Sequence, residues 1–357
     1  MPSTPPITRE SLATIPLCYA TCSLGKPTDS LRARLQAISA AGFAHIEFSF
    51  PDLLSHASAS TGKDVAADDY DTLCRVTEKE IKPMLEELNL KVFILQPFAE
   101  FEGWAEGSEE WKDAWKRVEG WIRIMMAVGT DTLQVGSSDA EKIDTSQKKL
   151  VGDLQKLCDR LKKEGFRVAY ENWCWSTHAP NWKQAWKLIE AVDRDNMGYN
   201  PDSFQIAGAE WADPTAQDGL VEAASDSERN KRFEASLEEL ATTIPGDKIY
   251  FYQISDAYRV QPPLEKKTID GLRPRGRWSG AYRPVPYSDG YLPVEQVTRA
   301  VLRTGFRGIF SLEVFDGGKE GKGKEVDFGE FAQDAMLSVQ KLLDAVAEDG
   351  PCVAEST

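Results

Sequence analysis

Four polar side chains stand at the ends of short apolar segments in the second half of the sequence. They are Glu171, Asp202, Gln253 and Glu313. If these segments are neighbouring parallel strands closed into a barrel, three carboxylates and one amide oxygen meet at one mouth. Carboxylates that share a cavity repel one another unless a cation is bound. Oxygen ligands favour Mg²⁺ or Mn²⁺, with Co²⁺ and Zn²⁺ as alternatives, so the sequence predicts a divalent metal site.

Other residues near these positions are candidates for acting on a substrate. His178 follows Glu171 by seven residues, and we predict that it is a general base because an imidazole titrates near neutral pH. Arg283 lies in an arginine-rich segment, and its guanidinium is suited to bind a substrate carboxylate through two parallel hydrogen bonds. Taken singly, each of these side chains also fits an ordinary loop or strand-end position. Further candidates for substrate contact are Gln96, Glu102 and Trp173.

The elements that position these residues are short β-rich runs that alternate with longer amphipathic segments. This alternation is typical of βα units around a parallel sheet. An open doubly wound sheet is disfavoured, because a glycine-rich turn usually follows its first strand and only Gly25 stands there. We therefore predict an α/β fold, a single-domain (β/α)8 TIM barrel with long loops after strands six and seven. The predicted strands are Leu17–Ser23, His45–Phe50, Val92–Phe98, Thr132–Gly136, Phe166–Asn172, Met197–Asn200, Ile249–Ile254 and Gly308–Phe315.

Helices are predicted between the strands, where apolar residues recur at helical spacing. Two long connections, Gly208–Asp247 and Tyr258–Gly290, are expected to serve as lids or binding loops, since long loops in compact domains are commonly functional. The predicted domain organisation is an N-terminal extension at 1–16, the barrel at 17–347 and a flexible tail at 348–357. The predicted helices are Ser30–Ala41, Tyr70–Leu88, Glu110–Val128, Ser146–Glu164, Trp182–Val192, a segment near Glu222–Thr242 and Phe328–Ala347.

The composition excludes several classes of partner. The chain has 357 residues and a formal net charge of -15, and an acidic surface without a block of lysine or arginine disfavours nucleic acid and membrane surfaces. No apolar run is long enough for a signal peptide or a transmembrane helix, so we expect a cytoplasmic protein. The six cysteines are scattered through a chain with ample core, and free thiols are expected. The oligomeric state is left open, with a homo-oligomer included.

Five motifs occur in the order found in one known group of proteins. They are Tyr-Glu-Asn-Trp-Cys-Trp-Ser-Thr-His at 170–178, Asn-Pro-Asp-Ser-Phe-Gln-Ile-Ala-Gly at 200–208, Gln-Ile-Ser-Asp-Ala at 253–257, Gly-Tyr-Leu-Pro-Val at 290–294 and Ser-Leu-Glu-Val-Phe at 311–315. In these motifs the chain resembles the sugar phosphate isomerase/epimerase-like, or xylose isomerase-like, TIM barrel superfamily. Within it, the chain is most similar to the fungal 3-dehydroshikimate dehydratases. The likeness runs from about residue 17 to 316.

The resemblance assigns roles to individual residues. The metal ligands that it implies are the same four residues named above, and Gln253 is itself a feature of the dehydratases. It also implies that His178 is the catalytic histidine and that Ser279 and Arg283 contact the substrate. We count Glu313 with His178 as catalytic. The chain departs from the pattern of these relatives at three positions. Gly280 stands where they often carry Arg, Ala99 where bacterial members carry Arg, and Gln205 where they often carry His or Asn.

The expected activity follows from these assignments. We predict a metal-dependent hydro-lyase that removes water from a cyclic keto acid through a metal-stabilised enolate, with His178 as base and 3-dehydroshikimate as the substrate. The nearest alternative is a keto sugar isomerase or epimerase, which uses the same metal chemistry without losing water. A metal-dependent endonuclease fits poorly, because such sites recruit several histidines and this chain has three in all. A non-catalytic sugar-binding barrel is the remaining alternative.

Overall fold

A computed structural model describes residues 5–348 and has eight parallel strands at its centre. The barrel strands are β1 (Leu17–Ala20), β2 (His45–Ser49), β3 (Lys91–Phe98), β4 (Thr132–Gly136), β5 (Arg167–Glu171), β6 (Met197–Tyr199), β7 (Phe251–Ile254) and β9 (Ile309–Leu312). Their order in the sheet is β6-β5-β4-β3-β2-β1-β9-β7. Isolated parallel bridges, Tyr199 with Ile249 and Asp202 with Gln253, join the two end strands. The predicted (β/α)8 barrel is confirmed.

Helices follow the strands and cover the outside of the barrel. They are α1 (Arg9–Leu12), α2 (Leu31–Ala40), α3 (Phe50–Thr61), α4 (Tyr70–Val76), α5 (Lys82–Glu87), α6 (Glu109–Val128), α7 (Gln147–Lys162), α8 (Trp182–Val192), α9 (Ser203–Glu210), α10 (Asp226–Thr243), α11 (Pro274–Ser279), α12 (Val294–Arg303) and α13 (Phe328–Val346). A π-helical turn, Thr77–Ile81, joins α4 to α5. The predicted helix over Tyr70–Leu88 is therefore continuous. Within residues 5–348, no helix combines the length and hydropathy needed to cross a membrane.

Five helices are absent from the sequence prediction: α1, α3, α9, α11 and α12. Helix α3 starts at the residue after β2, with Pro51 in its first turn, so no loop separates the two elements. Helix α9 is short and apolar on most of its faces, and it therefore lacks the amphipathic spacing that identifies a surface helix. Two further strands of two residues each, β8 (Tyr282–Arg283) and β10 (Phe315–Asp316), form a small antiparallel ladder beside the barrel.

The hydrophobic core has two parts. The larger part packs the outward side chains of the strands against the helices. The smaller part consists of Ile94, Ala169 and Phe251, which are fully buried. Ala169 and Phe251 precede Glu171 and Gln253 by two residues, and residues two apart lie on the same side of a strand. The barrel interior is therefore apolar towards the amino ends of the strands and polar at the mouth, which their carboxyl ends form. The five cysteines within residues 5–348 are free thiols; Cys352 and most of the predicted tail lie outside the described residues.

A buried ion pair links the first two large helices of the barrel. Arg34 in α2 lies 2.9 Å from Asp52 in α3 through Nη1 and Oδ1, and both side chains are almost completely inaccessible to solvent. The same Nη1 donates to the carbonyl oxygen of Thr21 at 3.1 Å. An ion pair removed from water stabilises a fold only while both partners are present, because a lone buried charge is costly.

We predict that Asp52→Ala lowers the free energy of unfolding by about 3–5 kcal/mol, because Arg34 would remain buried without its counter-ion. Urea denaturation followed by circular dichroism measures the change. The control is Glu87→Ala, which removes the partner of Arg32 in an exposed pair and should change stability little. Equal effects of the two substitutions would show that the buried ion pair stabilises the fold no more than the exposed pair does.

The long connection after β7 is anchored by Asp256. Its Oδ1 accepts hydrogen bonds from the backbone N–H groups of Ala257 at 2.7 Å and Leu292 at 2.8 Å. Gly290 packs so closely that a Cβ at this position would lie 2.1 Å from the Asp256 carboxyl carbon. Burial raises the pKa of Asp256 to about 6, although its backbone hydrogen bonds act in the opposite direction. Ionisation of this anchor therefore costs the folded protein stability.

We predict that the unfolding free energy of the wild-type protein falls by about 1 kcal/mol relative to Asp256→Asn between pH 5 and pH 8. The folded-state pKa of about 6 lies above the unfolded value, so the folded protein loses stability as the pH rises through 6. Denaturation series at several pH values measure the difference. Asp247→Asn, at an exposed position of the same chain region, serves as the control. A constant difference between wild type and Asp256→Asn across this range would contradict the prediction.

Candidate metal centre

Three carboxylates meet at the carboxyl ends of the barrel strands. Glu171 ends β5, Asp202 follows β6 as the N-cap of α9, and Glu313 follows β9. One oxygen from each lies within 4.8 Å of the others, and all three side chains are buried. Gln253 in β7 forms an isolated bridge with Asp202, which places it at the same end of the barrel. The four residues predicted as metal ligands thus lie at one mouth.

The charges at this mouth are only partly balanced. Burial and then the charge of Glu313 raise the pKa of Glu171 well above its ordinary value. Burial also raises the pKa of Glu313 to about 7, although Arg283 opposes this shift. The Arg283 guanidinium lies 2.5 Å from Asp202 Oδ2 and 3.0 Å from Glu313 Oε2. When all three carboxylates are ionised, one guanidinium leaves two negative charges, which matches the charge of a divalent cation.

Glu171 offers one oxygen to a cation. Its Oε2 accepts hydrogen bonds from Gln134 Nε2 and, at 3.0 Å, from Trp173 Nε1. Its Oε1 is buried and has no hydrogen-bond partner within residues 5–348. Gly136 makes the position of Trp173 feasible, because a Cβ there would lie 2.2 Å from the indole ring. A buried carboxylate oxygen without a donor is costly, so this arrangement fits a bound cation.

The amide of Gln253 is held from both sides. Its Nε2 donates to Glu47 Oε2 at 2.9 Å, and its Oε1 accepts from Asn200 Nδ2 at 2.8 Å. All three side chains are fully buried. The oxygen of Gln253 retains a second lone pair, which leaves it suited to join the three carboxylates in an oxygen-rich site.

His178 lies in a second cluster of buried polar groups at the same end of the barrel. Its Nε2 is 3.1 Å from Glu102 Oε1 and 2.9 Å from the Tyr170 hydroxyl. The Tyr170 hydroxyl and the backbone N–H of Ser138 also donate to Glu102 Oε1, at 2.8 and 3.0 Å. Although burial opposes it, these hydrogen bonds and the charge of His178 lower the pKa of Glu102. The carboxylate is therefore charged at neutral pH and accepts a hydrogen bond from the imidazole N–H.

Gln96 and Ser279, two of the predicted substrate-binding residues, contact the metal centre or Arg283 directly. Gln96 Nε2 is 3.4 Å from Glu313 Oε1. Ser279 accepts a hydrogen bond from Arg283 Nη1 at 3.3 Å, and Arg283 Nε donates to the Ser255 hydroxyl at 2.9 Å. Arg283 is fully buried, so its guanidinium is occupied by carboxylates and hydroxyls of the protein itself. Its predicted contact with a substrate carboxylate stays a prediction.

The other arginines of the long loop have a different position. Arg273, Arg275 and Arg277 donate to backbone carbonyl oxygens at 2.8, 2.6 and 2.7 Å, those of Trp175, Gly208 and Glu265. Hydrogen bonds of this kind fix a loop in one conformation. Arg273 and Arg275 therefore hold the connection after β7 against the loop after β5 and against α9, whereas Arg277 bonds within that connection.

A cavity of about 380 Å³ opens beside Val314, the residue that follows Glu313. Its wall includes Cys22 at the end of β1, Gly280, Phe315 and Lys324. A Cβ at Gly280 would approach only the carbonyl oxygen of Gly276, at 3.6 Å. The glycine therefore leaves room on this wall.

Sequence reasoning missed several residues of the site: Glu47, Gln134, Tyr170 and Asn200. Glu47 and Gln134 each lie between two apolar residues at the centre of a strand, a signal similar to the one that identified Glu171 and Gln253. Tyr170 resembles an ordinary aromatic core residue, and nothing in the sequence indicates that its hydroxyl reaches Glu102. Its position could be found only from the folded chain.

Comparisons with known proteins place this geometry in a family. The family model described as xylose isomerase-like TIM barrel matches residues 35–332. The chain is 28% identical over 354 residues to a 3-dehydroshikimate dehydratase of Neurospora crassa, and the match covers 94% of this chain and 96% of that protein.

Solved structures agree with the same fold. A xylose isomerase-like TIM barrel/4-hydroxyphenylpyruvate dioxygenase fusion protein has a TM-score of 0.69 and 26% identity. The match covers 93% of this chain and 43% of that longer one. The IOLI protein, solved with a zinc atom, has a TM-score of 0.60 and 17% identity over 95% of this chain and all of that one. The family model spans most of the sequence, and the chain therefore belongs to the xylose isomerase-like TIM barrel family.

Proposed function

We propose that the protein is a metal-dependent hydro-lyase that converts 3-dehydroshikimate to protocatechuate and water. The observation that carries this proposal is the cluster of Glu171, Asp202 and Glu313, whose oxygens lie within 4.8 Å of one another in a buried mouth. The match to the Neurospora crassa dehydratase over nearly the full length of both chains supports the substrate. Mg²⁺ and Mn²⁺ fit an all-oxygen site best, and the zinc atom in the IOLI protein keeps Zn²⁺ as an alternative.

The three carboxylates and the Gln253 amide oxygen would hold the cation. When bound, a divalent cation supplies a Lewis acid beside the substrate ketone. Arg283 stays between Asp202 and Glu313 and limits their repulsion, so the site carries a charge that one divalent cation balances. Gln96, Ser279 and Trp173 lie against these groups, and their contact with the substrate is part of the proposal.

His178 is the proposed base. Its Nε2 donates to Glu102, which can only accept, so the lone pair of the neutral ring is on Nδ1. Nδ1 has no hydrogen-bond partner within residues 5–348. It is free to take the proton next to the ketone, after which the β-hydroxyl leaves as water and the ring of the product becomes aromatic. We propose that Glu102 holds the imidazole in this tautomer; a direct contact of Glu102 with the substrate stays a prediction.

The first prediction concerns metal and substrate together. Metal-stripped protein should not convert 3-dehydroshikimate, and addition of Mg²⁺, Mn²⁺ or Co²⁺ should restore formation of protocatechuate, followed by its ultraviolet absorbance. Glu313→Ala should abolish turnover at every metal concentration, because two carboxylates remain where three are needed to balance the cation and Arg283.

The control is Glu87→Ala, at an exposed carboxylate on the outside of the barrel, which should retain wild-type turnover. Turnover by fully metal-free protein would contradict the metal requirement. A folded, metal-loaded protein that leaves 3-dehydroshikimate unchanged would refute the substrate, and keto sugars would be tested next on the same four ligands.

The second prediction separates the base from the metal. His178→Gln should lower kcat by about 10²–10⁴-fold, the usual contribution of a general base, with the metal content unchanged. Glu102→Gln should lower kcat less and leave KM near the wild-type value, because it removes the charge beside the imidazole and not the imidazole itself.

His56→Gln is the matched control, since His56 lies on the outside of the barrel beside Glu80 and should retain full activity. If His178→Gln and His56→Gln show the same kcat, His178 is not the base. Inductively coupled plasma mass spectrometry on each variant shows whether a loss of activity reflects a loss of metal.

A further inference from the structure

We propose that Trp173 is a positioning residue of the metal centre: its indole N–H holds the carboxyl group of Glu171 in the orientation that leaves one oxygen free for the cation. The inference rests on the proposed function, in which Glu171 is a metal ligand. It gives the indole a role in metal binding that is separate from any contact with the substrate.

The contact is a hydrogen bond from Trp173 to the residue two positions before it. Trp173 Nε1 donates to Glu171 Oε2 at 3.0 Å, and Gln134 Nε2 donates to the same oxygen. The other oxygen, Oε1, is buried and has no hydrogen-bond partner within residues 5–348. The two donors therefore distinguish the two oxygens of one carboxyl group, and Oε1 is the oxygen available to a cation.

The contact does not depend on the charge of Glu171. An indole N–H only donates, and a carboxyl group has an oxygen that accepts whether the group is ionised or protonated. The amide of Gln134 has both a donor and an acceptor end, and it can present either one after a flip. Trp173 is therefore the donor at this oxygen whose direction is fixed by its chemistry.

Three contacts hold the indole ring in place. Gly136, at the end of β4, lies so close that a Cβ there would be 2.2 Å from the ring. Trp175 stacks on the Trp173 ring with 5.0 Å between the ring centroids. The Ser137 hydroxyl accepts a hydrogen bond from the backbone N–H of Trp173 at 2.9 Å. A side chain that is already held in this way loses little conformational entropy when it orients a ligand.

The expected effect of the indole is on metal affinity. Groups that hydrogen-bond to a metal ligand from behind commonly change metal affinity by about 10–100-fold when they are removed. A side chain that only contacts the substrate would leave metal affinity unchanged and would act on KM. The two roles of Trp173 can therefore be separated by metal binding alone, without any substrate.

The first experiment is isothermal titration calorimetry of the full-length, metal-stripped protein with Mn²⁺. Trp173→Phe keeps an aromatic ring and removes the N–H group, so it should weaken Mn²⁺ binding by about 10–100-fold. Trp211→Phe is the matched control, because Trp211 Nε1 also donates at 3.0 Å, to the Asn230 side chain in an exposed contact. This control should bind Mn²⁺ as the wild type does. Equal affinities of wild type and Trp173→Phe would overturn the inference.

A second measurement follows the indole itself. The chain has ten tryptophans, and each gives one indole N–H signal in the NMR spectrum of the ¹⁵N-labelled protein. Mg²⁺ should shift the Trp173 signal, which is identified by its absence in Trp173→Phe, because a bound cation withdraws electron density from the carboxylate that accepts the hydrogen bond. The Trp211 signal should not move. A Trp173 signal that stays in place while Mg²⁺ binds would contradict the proposed contact.

If Trp173→Phe fails to fold, Gly136→Ala takes its place. The added Cβ would lie 2.2 Å from the indole ring, so it must displace the ring while all ten tryptophans remain. Gly136→Ala should therefore shift the Trp173 signal and weaken Mn²⁺ binding. Wild-type affinity in a folded Gly136→Ala protein with a shifted Trp173 signal would also overturn the inference.

The outcomes distinguish the two proposals. If the wild-type protein binds neither Mn²⁺ nor Mg²⁺, the metal-dependent function fails and the role of Trp173 fails with it. If the wild-type protein binds Mn²⁺ and Trp173→Phe binds it equally tightly, only the role of Trp173 is refuted. Weaker binding by Trp173→Phe, with wild-type binding by Trp211→Phe, supports both.

Discussion

Repulsion among buried carboxylates is the constraint on which the mouth of this barrel depends. Three acidic side chains converge within 4.8 Å and are buried, and their charges would repel one another if no cation were bound. The protein opposes this repulsion with one guanidinium, with amide and indole donors, and with a site whose remaining charge suits a divalent cation. Much of the structure at the polar end of the barrel positions this guanidinium and these donors next to the carboxylates.

The sequence alone predicted the barrel, and it predicted that the acidic residues at the strand ends lie together, for physical reasons. Parallel strands buried on both faces are short and apolar, so a carboxylate such as Glu171 at a strand end is conspicuous. Alternation of strands with amphipathic helices then predicts that the strand ends share one mouth. Helix α9 was not predicted because most of its faces are apolar. Helix α3 was not predicted because no turn separates it from β2.

The supporting residues were harder to predict because their role depends on contacts across the barrel. Glu47 could be noticed as a charge inside an apolar strand, but its partner is 206 residues away. Arg283 was expected to bind a substrate, and the structure places its guanidinium between Asp202 and Glu313. The fold of the long connection determines which of its arginines lies at the mouth. The sequence pattern does not predict which one it is.

The position of Arg283 has a consequence for how the chain is made. Synthesis proceeds from the N-terminus, so the carboxylates of Glu171 and Asp202 leave the ribosome well before the guanidinium that lies beside Asp202 in the folded protein. About four-fifths of the chain must emerge before this partner is available. The carboxylates of Glu171 and Asp202 therefore lack this partner until the long connection is complete, and closure of the rim depends on the last fifth of the sequence.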